Sequence, residues 1–460
     1  MNDQTATTVV VPTEKAHDSW PRPAVAWYGV VFFGLTLLVL FMNASVSGLL
    51  IEPIKRDLGL SDVQASLAIG TAAAAFNALF MLPVSRLVDI ISRRLIIGVG
   101  LILGGISAAL AGLSSTFSQL FLVRMIGGIG GSGNAPATFS ILADYFPAPK
   151  LPKALAVMGI GFYYGNALAL LLGGTLLGFA STLHVVAPMV GALRPWQIIL
   201  LIMAIPDVLL GILALTTLHE PKRRGARSTT YAADAGGKVK VVPLREVFKF
   251  LYDNRAAFAP MFLGLCANSL AAGAFFWNAP FFARTYGWSP AKYGVIQGSM
   301  LLVLAPIGAL AGGYLAEWFA RKGRDDANLR VVYLATLFHV PFAMAYALMP
   351  NPYLAIVIYA INYTIISMGS GPQNAALQVI VPNEMRGQIT ALFLFCFGMI
   401  GLALAPLVVA SLTQYVFGAE EKLRYSIATI HIVLAPLATY FFWKGLKPYG
   451  KAFAAARAWH

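Results

Sequence analysis

The sequence predicts an all-α membrane protein with twelve transmembrane helices in two halves of six. Three observations support this fold class: the composition, a series of apolar segments and a charge motif that occurs twice. Of the 460 residues, 58 % are hydrophobic and 11 % are charged, whereas soluble domains carry about 25 % charged residues. This composition excludes an ordinary soluble enzyme and predicts that most of the chain is embedded in a lipid bilayer.

Twelve apolar segments are each long enough to cross a bilayer, which takes about 20 residues of helix. They form an N-terminal half (27–218) and a C-terminal half (256–443), joined by a linker (219–255) and flanked by tails (1–26 and 444–460). The segments are numbered span 1 to span 12 and cover residues 27–51, 63–84, 95–113, 118–142, 154–179, 195–218, 256–280, 293–316, 330–349, 354–379, 388–412 and 425–443.

The basic residues predict how the chain is oriented. If both termini are cytosolic and Arg330, the first residue of span 9, is counted with the adjoining loop, 25 of the 33 Lys and Arg residues lie in cytosolic segments, seven lie in external loops and Arg124 lies inside a span. Because Lys and Arg collect in cytoplasmic loops, we predict a multi-pass protein of the cell membrane, the inner membrane in a bacterium, with cytosolic termini. The net charge of +14 then reflects topology and attraction to anionic lipid, so no nucleic-acid partner is expected.

A charge motif recurs at equivalent places in the two halves. Between spans 2 and 3 it contains Asp89, Arg93 and Arg94, and between spans 8 and 9 it contains Glu317 and Arg321 followed by another base. The acid is four residues before the first base in both copies. This pattern resembles the signature of the major facilitator superfamily, and the resemblance extends along the whole chain.

The resemblance implies a secondary transporter whose two six-helix halves rock about a central site to give alternating access. It also implies that the two charge motifs are gating elements that latch the cytosolic side. The alternative interpretation of these motifs is a cluster of charges that only sets topology.

Within this superfamily, three segments resemble the Spinster family: residues 52–62, 141–147 and 381–387. The resemblance implies amphipathic lipid substrates such as lysophospholipids, and proton coupling in bacterial members. Spinster proteins carry an Asp-Arg pair in span 1 and a Glu in span 4, but the corresponding residues here are Asn43, Ala44 and Gly131. Because none of these side chains titrates, a facilitative uniporter is the alternative mechanism.

Arg124 is the strongest candidate for binding substrate. It is the single Lys or Arg inside a span, and a charge within the bilayer costs about 2.5–3.5 kcal/mol on the insertion scale. The functional interpretation is that its guanidinium binds a substrate anion. The alternatives are a structural partner such as Asp207 and a side chain that snorkels to the membrane surface.

Asp207 follows Pro206 in span 6 and is the one acid placed deep in the bilayer. It is the candidate for proton coupling; the alternative is a buried pair or a bystander that stays protonated. His339 and His431 also lie in spans, and we interpret them as packing residues rather than proton relays.

In the major facilitator plan, spans 1, 4, 7 and 10 line the central cavity and spans 2, 5, 8 and 11 contribute to its sides. Polar and aromatic residues on those spans are therefore candidates for substrate binding, with helix–helix contacts as the alternative role. With Arg124 they describe a cavity for an amphipathic or aromatic organic anion. These candidates are Asn43, Asn77, Ser132, Asn134, Tyr163, Tyr164, Asn166, Asn268, Trp277, Asn278, Asn362, Tyr363, Gln373 and Asn374.

Other chemistry is not predicted. Residues 128–133 match the glycine pattern of dinucleotide-binding proteins, but they lie inside a span, where glycines permit close helix packing. We expect no cofactor, no metal and no enzymatic activity. The expected partners are a small anionic substrate, the lipid bilayer and, as coupling ion, protons, and the expected oligomeric state is a monomer. A sensor that binds solute without transporting it is the alternative from another class, although the longest polar segment, 219–255, is short for a signalling domain.

Overall fold

The structure is a computed structural model that describes residues 20–147, 150–183, 185–187, 191–221 and 243–456. Nearly all regular structure within these ranges is helical, as predicted. The exception is a pair of two-residue antiparallel strands, Val186–Ala187 and Gly191–Ala192, between spans 5 and 6. Most of the predicted N-terminal tail, the linker residues 222–242 and residues 457–460 lie outside the described part of the chain.

The first half contains spans 1 to 6. Ser61 caps the start of span 2 and Thr116 that of span 4, each accepting a hydrogen bond from a backbone N–H three residues on. Span 1 is Pro23–Leu49 continued by Ile51–Leu58; span 2 is Asp62–Ala65, the π-helical Ser66–Thr71 and Ala72–Ile90; span 3 is Arg93–Gly112; span 4 is Phe117–Gly131 and Asn134–Tyr145; span 5 is Leu151–Ala180; span 6 is Pro195–Thr217.

The second half repeats this plan. A short helix, Leu244–Asp253, lies within the predicted linker. Span 7 is Arg255–Ala271 with Ala274–Tyr286; span 8 is Pro290–Arg321; span 9 is Ala327–Ala345 with the 3₁₀ turn Tyr346–Leu348; span 10 is Pro352–Ser367 with Ser370–Val379. Span 11 is Asn383–Cys396, Phe397–Leu404, Ala405–Ser411 and Leu412–Val416; span 12, after the 3₁₀ turn Glu420–Lys422, is Leu423–Ala456. The last helix therefore includes most of the predicted C-terminal tail, because Leu446 and Tyr449 are buried against span 9.

Spans 4, 7 and 10 are interrupted at their midpoints. Among the described residues, eleven helical stretches are long and apolar enough to cross a bilayer. The twelfth crossing is span 4, which breaks at Ser132 and Gly133. Spans 7 and 10 have equivalent breaks at 272–273 and 368–369. Interrupted helices in transporters expose backbone groups where they line a site.

The two halves meet chiefly where span 5 packs on span 8 and span 2 packs on span 11. Small residues allow the first of these contacts, because a Cβ added to Gly298 would lie 2.5 Å from the backbone N of Leu171. Within the first half, a Cβ on Gly128 would lie 2.3 Å from the Ala73 carbonyl oxygen. The predicted packing role of the span 4 glycines is therefore confirmed.

Two faces of the bundle are used as reference. The terminal face is where span 1 begins and span 12 ends. The distal face is where odd-numbered spans end and even-numbered spans begin. Because the chain crosses twelve times, both described chain ends lie at the terminal face.

Candidate transport site

Arg124 lies in span 4, seven residues after the helix begins at Phe117. Its Nη2 donates a hydrogen bond to the Ser47 hydroxyl of span 1 at 3.1 Å, and its Nε is buried without a hydrogen-bond partner. Among the described side chains, no carboxylate forms an ion pair with Arg124, Asp207 included. The guanidinium therefore keeps a donor available for an anion.

Asn43 and Asp207 are hydrogen-bonded to each other. The Nδ2 of Asn43 donates to Oδ2 of Asp207 at 2.7 Å, and the Asp207 residue is only 8 % exposed. The Ser47 hydroxyl donates to the Asn43 carbonyl oxygen at 2.8 Å. A chain of hydrogen-bonded residues thus runs from Arg124 in span 4, through Ser47 and Asn43 of span 1, to Asp207 in span 6. Within Asn43 the chain passes from the backbone carbonyl, which accepts from Ser47, to the side-chain amide, which donates to Asp207.

Ser47 is the member of this chain that sequence reasoning missed. Its spacing of four residues from Asn43 places both on one face of span 1. That spacing is a signal that could have identified it.

Charged residues at the distal face join the two halves. Arg284, at the end of span 7, forms ion pairs with Glu52 at 2.6 Å and with Asp62 at 2.8 Å, both in the first half. Its guanidinium also lies 5.5 Å from the centre of the Trp277 ring. Asp62 is 3 % exposed, so this pairing is largely removed from solvent.

Lys55 extends the same network. Its ammonium pairs with Asp62 at 2.6 Å and, across the halves, with Glu420 at 2.5 Å. The five residues Glu52, Lys55, Asp62, Arg284 and Glu420 are called the distal ion-pair network. Three of its four residue pairs cross between the halves, so it stabilises the closed distal face.

The predicted substrate-binding residues of the first half have mixed surroundings. Tyr163 is hydrogen-bonded to the Ser370 hydroxyl of span 10 at 2.5 Å, which links the halves. Asn166 accepts a hydrogen bond from Ser45 at 2.6 Å and so holds span 5 to span 1. The remainder are placed as follows: Asn77 donates to the Gly128 carbonyl, Ser132 donates to the Ile129 carbonyl, Asn134 has a buried unpartnered Oδ1, and Tyr164 is exposed.

Several of the predicted residues of the second half make internal contacts. The Trp277 indole donates to the Pro406 carbonyl at 2.8 Å, Asn278 accepts from Tyr346 at 2.9 Å and Asn362 lies 3.0 Å from His339. These pairs hold neighbouring spans together. The others are less constrained: Asn268 and Tyr363 are half-buried, Gln373 has a buried Nε2 without a partner, and Asn374 is exposed and donates to the Ser370 carbonyl. His431 is bonded to the Ile427 carbonyl, as suits a packing residue.

The first charge motif is centred on Arg93, which is 1 % exposed. It forms ion pairs with Asp144 at the end of span 4 and with Glu220 beyond span 6. The backbone N–H of Arg94 donates to the same Glu220 at 2.9 Å. Asp144 lies in the first half and Glu220 at the start of the linker, so neither partner belongs to the second half. Asp89 lies in the helix Ala72–Ile90, and its side chain is outside the described part of the structure.

The second charge motif is more open. Glu317 and Arg321 pair at 2.9 Å along one helix, with side chains 59 % and 72 % exposed. Exposed pairs of this kind contribute about 0.3–0.5 kcal/mol. Glu317 also lines a cavity of about 290 Å³ together with residues of spans 8, 9 and 10, including Asn328 and Pro372.

The family sequence model of the Major Facilitator Superfamily matches residues 32–406 of this chain. The chain belongs to the Major Facilitator Superfamily. As a member of the superfamily it is a secondary transporter of small molecules, not an enzyme, and it spans the membrane many times. The predicted family and fold are therefore confirmed.

Individual relatives agree with this assignment. An MFS-type efflux pump of Mycolicibacterium smegmatis is 27 % identical over 405 residues, which cover 88 % of each chain. The probable galactarate/D-glucarate transporter GudP of Bacillus subtilis is 21 % identical over 68 % of this chain and 69 % of its own. Among solved structures, a bacterial homolog to the human lysosomal transporter Spinster, in an inward-facing and unoccupied conformation, aligns with a TM-score of 0.75 at 20 % identity, covering 95 % of this chain and 99 % of that one.

Proposed function

We propose that this transporter moves a small amphipathic or aromatic organic anion by alternating access, and that Arg124 binds the anionic group. The observation that carries the proposal is the unpaired guanidinium: Arg124 has a buried Nε without a partner and no ion pair with a described acid. A buried cation without a counter-charge is costly. A substrate carboxylate, phosphate or sulfonate would remove that cost and use the free donor.

Aromatic surface between the halves supports the amphipathic part of the proposal. Phe41 and Phe162 have ring centres 4.4 Å apart, and Tyr163 adjoins Phe162 at 5.1 Å. Phe275 and Tyr363 form a similar pair in the second half at 6.2 Å. One relative, the probable galactarate/D-glucarate transporter, is named for organic anions, which supports the anionic part of the proposal.

Alternating access is supported by the distal ion-pair network, which links the halves through Arg284 and Lys55. We propose that these pairs break when the distal face opens. The charge motif at Arg93 and Arg94, with Asp89, then latches the terminal face in the opposite state, with Glu317 and Arg321 as its counterpart in the second half. Both termini are placed in the cytosol on the distribution of basic residues.

Facilitative uniport is the second candidate mechanism. Asn43 and Gly131 occupy the two positions where the Spinster resemblance implies carboxylates, and neither can carry a proton. Export of lysolipids is the corresponding alternative substrate class. A sensor without transport activity is a further alternative, which flux of any labelled solute through the protein would contradict.

Binding and transport of anions test the proposal. Thermal-shift screening of benzoate, D-glucarate and lysophosphatidic acid against the purified protein identifies a ligand, because a ligand that binds the folded state raises apparent stability. Uptake of that anion into proteoliposomes is then compared for the wild type, Arg124→Lys and Arg124→Gln.

Loss of a charge-assisted hydrogen bond costs about 1.5–3 kcal/mol, so Arg124→Gln is expected to weaken anion binding by about 10- to 150-fold, with partial retention in Arg124→Lys. Arg255→Gln is the matched control, since Arg255 is exposed and bonds to the Tyr252 carbonyl of a neighbouring turn. Undiminished anion uptake by Arg124→Gln would contradict the assignment.

A further inference from the structure

Asp207 has a hydrogen-bond partner but no counter-charge. No Lys, Arg or His among the described residues forms an ion pair with it, and its carboxylate is held by the Asn43 amide alone. Span 6 can place it there because Gly105 of span 3 has no side chain: a Cβ at that position would lie 3.1 Å from the Asp207 Cβ. An ionised carboxylate in a dry environment without a cation is costly.

We infer that Asp207 and Asn43 form a proton-binding site, and that Ser47 links this site to Arg124 so that a proton and an anion bind together. The anion part rests on the proposed function. The proton part depends only on the burial of Asp207 and its hydrogen bond from Asn43, and the link to Arg124 depends on the two hydrogen bonds of Ser47. It assigns a role to the helices Pro23–Leu49 of span 1 and Pro195–Thr217 of span 6, which carry no other charged side chain.

The Asn43 amide suits a carboxyl group that changes protonation state. Its Nδ2 donates to Oδ2 of the ionised Asp207, as observed at 2.7 Å. A proton taken up from water binds the other carboxyl oxygen, Oδ1, and no bond to carbon or nitrogen changes. Because an amide has a donor and an acceptor, Asn43 can also pair with the protonated acid.

The charges of the site favour simultaneous binding. With Asp207 ionised and Arg124 charged, the two groups sum to zero. An added anion makes the site negative, and a proton on Asp207 restores neutrality. Since charge in low dielectric is unfavourable, proton and anion binding are expected to strengthen each other, which is the requirement for symport.

Other ionisable groups on the spans that pack against span 6 are engaged elsewhere or lie near helix ends. Asp207 is the one charged residue of span 6, and it faces Gly105 and Asn43. The remaining groups of span 1 are Tyr28, bonded to Thr217; Glu52 and Lys55 of the distal ion-pair network; Arg56; and Asp57, which accepts from the Trp196 indole at the start of span 6. The others are Arg93 and Arg94 at the start of span 3 and Lys153, Tyr163 and Tyr164 of span 5.

Infrared difference spectroscopy of the reconstituted protein tests the proton site without any substrate. Spectra recorded as the pH is changed between about pH 5 and pH 9 are expected to contain the C=O stretch of a protonated carboxylic acid that is absent in Asp207→Asn and retained, shifted in frequency, in Asp207→Glu. Glu246→Gln is the control, because Glu246 is an exposed acid of the helix Leu244–Asp253, and it should retain the band. A band unchanged in Asp207→Asn, or no such band in the wild type, would overturn the inference.

The link to Arg124 is tested with the same signal. Removing the positive charge in Arg124→Gln should move the midpoint of the Asp207 band to higher pH, because a nearby cation favours the ionised carboxylate. Ser47→Ala keeps the charge and removes the bridging hydroxyl, so its midpoint should move less. An identical midpoint in Arg124→Gln would overturn the link. These readouts remain decisive even if no anion is transported, so failure of the proposed function and failure of this inference are distinguishable.

Discussion

Glu220 makes stability at the terminal face depend on pH. Partial burial acts to raise the pKa of Glu220, but hydrogen bonds from the Arg94 backbone N–H and from the side chains of Arg93 and Ser92 outweigh it and hold the pKa below its usual 4.5. A lowered pKa means that the folded state binds a proton less readily than the unfolded state. The stabilisation is therefore complete above about pH 4.5 and is lost as the pH falls through the lowered pKa.

We expect Glu220→Gln to lower the melting temperature by a few degrees at about pH 7, where the charge is present, and by progressively less as the pH falls toward about 4. Scanning fluorimetry in detergent measures this. The control is Glu246→Gln, an exposed acid of the short linker helix. A difference between wild type and Glu220→Gln that is independent of pH would contradict the electrostatic explanation.

The residues of the transport site were partly predictable. Arg124 and Asp207 are conspicuous in the sequence because charges inside apolar spans are rare. The partner of each was not predictable, since Asp207 bonds to Asn43, and Arg124 to Ser47, across spans far apart in sequence. Asn43 was identified through its position in the Spinster resemblance and as a polar residue of a span expected to line the cavity, but not as the partner of Asp207.

At the scale of the helices, the contact between spans 5 and 8 depends on glycine. A Cβ on Gly298 would approach the backbone N of Leu171 at 2.5 Å and the Ala167 carbonyl oxygen at 2.7 Å. Backbone atoms cannot move aside as a flexible side chain can. The same helix contains Gly313, around which there is open space within 4 Å.

We therefore expect Gly298→Ala to destabilise the folded protein by about 1–3 kcal/mol, the usual cost of overpacking, and Gly313→Ala to be neutral or slightly stabilising because alanine favours helix. Thermal unfolding of the two variants side by side measures the difference. Equal melting temperatures for the two variants would mean that spans 5 and 8 accommodate a Cβ at position 298 without loss of stability, which would contradict the prediction.

Interruptions within spans are a second feature at the scale of the helices. Spans 4, 7 and 10 each break at a pair of residues that ends in glycine, at 132–133, 272–273 and 368–369. The sequence predicted each span as one apolar segment, because the residues at the breaks are as apolar or as small as their neighbours and hydropathy does not detect a two-residue interruption of a helix. The breaks follow from packing around the central region.

For the molecule as a whole, the distal ion-pair network joins the two halves at the distal face, and we propose that it sets how readily this face opens. Removing Arg284 leaves Glu52 unpaired and Asp62 with Lys55 as its remaining partner. Breaking a buried ion pair costs about 3–5 kcal/mol in the state that contains it. Arg284→Gln is therefore expected to increase the population of distally open molecules more than about tenfold.

Spin labels at Arg56→Cys and Tyr415→Cys, with Cys266 and Cys396 replaced by Ser, report the separation of the halves at this face by pulsed electron paramagnetic resonance. The long-distance population should grow in Arg284→Gln and stay unchanged in Arg255→Gln. An unaltered distance distribution in Arg284→Gln would show that other contacts close the distal face.

Orientation is also a property of the whole molecule. With 25 basic residues on one side and seven on the other, the positive-inside rule predicts cytosolic termini. A C-terminal green fluorescent protein fusion expressed in bacteria should fluoresce, and a C-terminal alkaline phosphatase fusion should be inactive. The reverse pattern would invert the assignment of the two faces.

The sequence by itself determined the fold class, the number of spans, the two halves and the family, because apolar length, charge placement and an internal repeat are local properties of the chain. Only the tertiary structure decided that Arg124, Ser47, Asn43 and Asp207 form one hydrogen-bond chain and that Arg284 ties the halves together. Apart from the Ser47–Asn43 bond, which joins residues four positions apart, these contacts join residues between 77 and 232 positions apart. Pairing over such distances depends on how the spans are arranged around one another, which neither hydropathy nor spacing along the chain records.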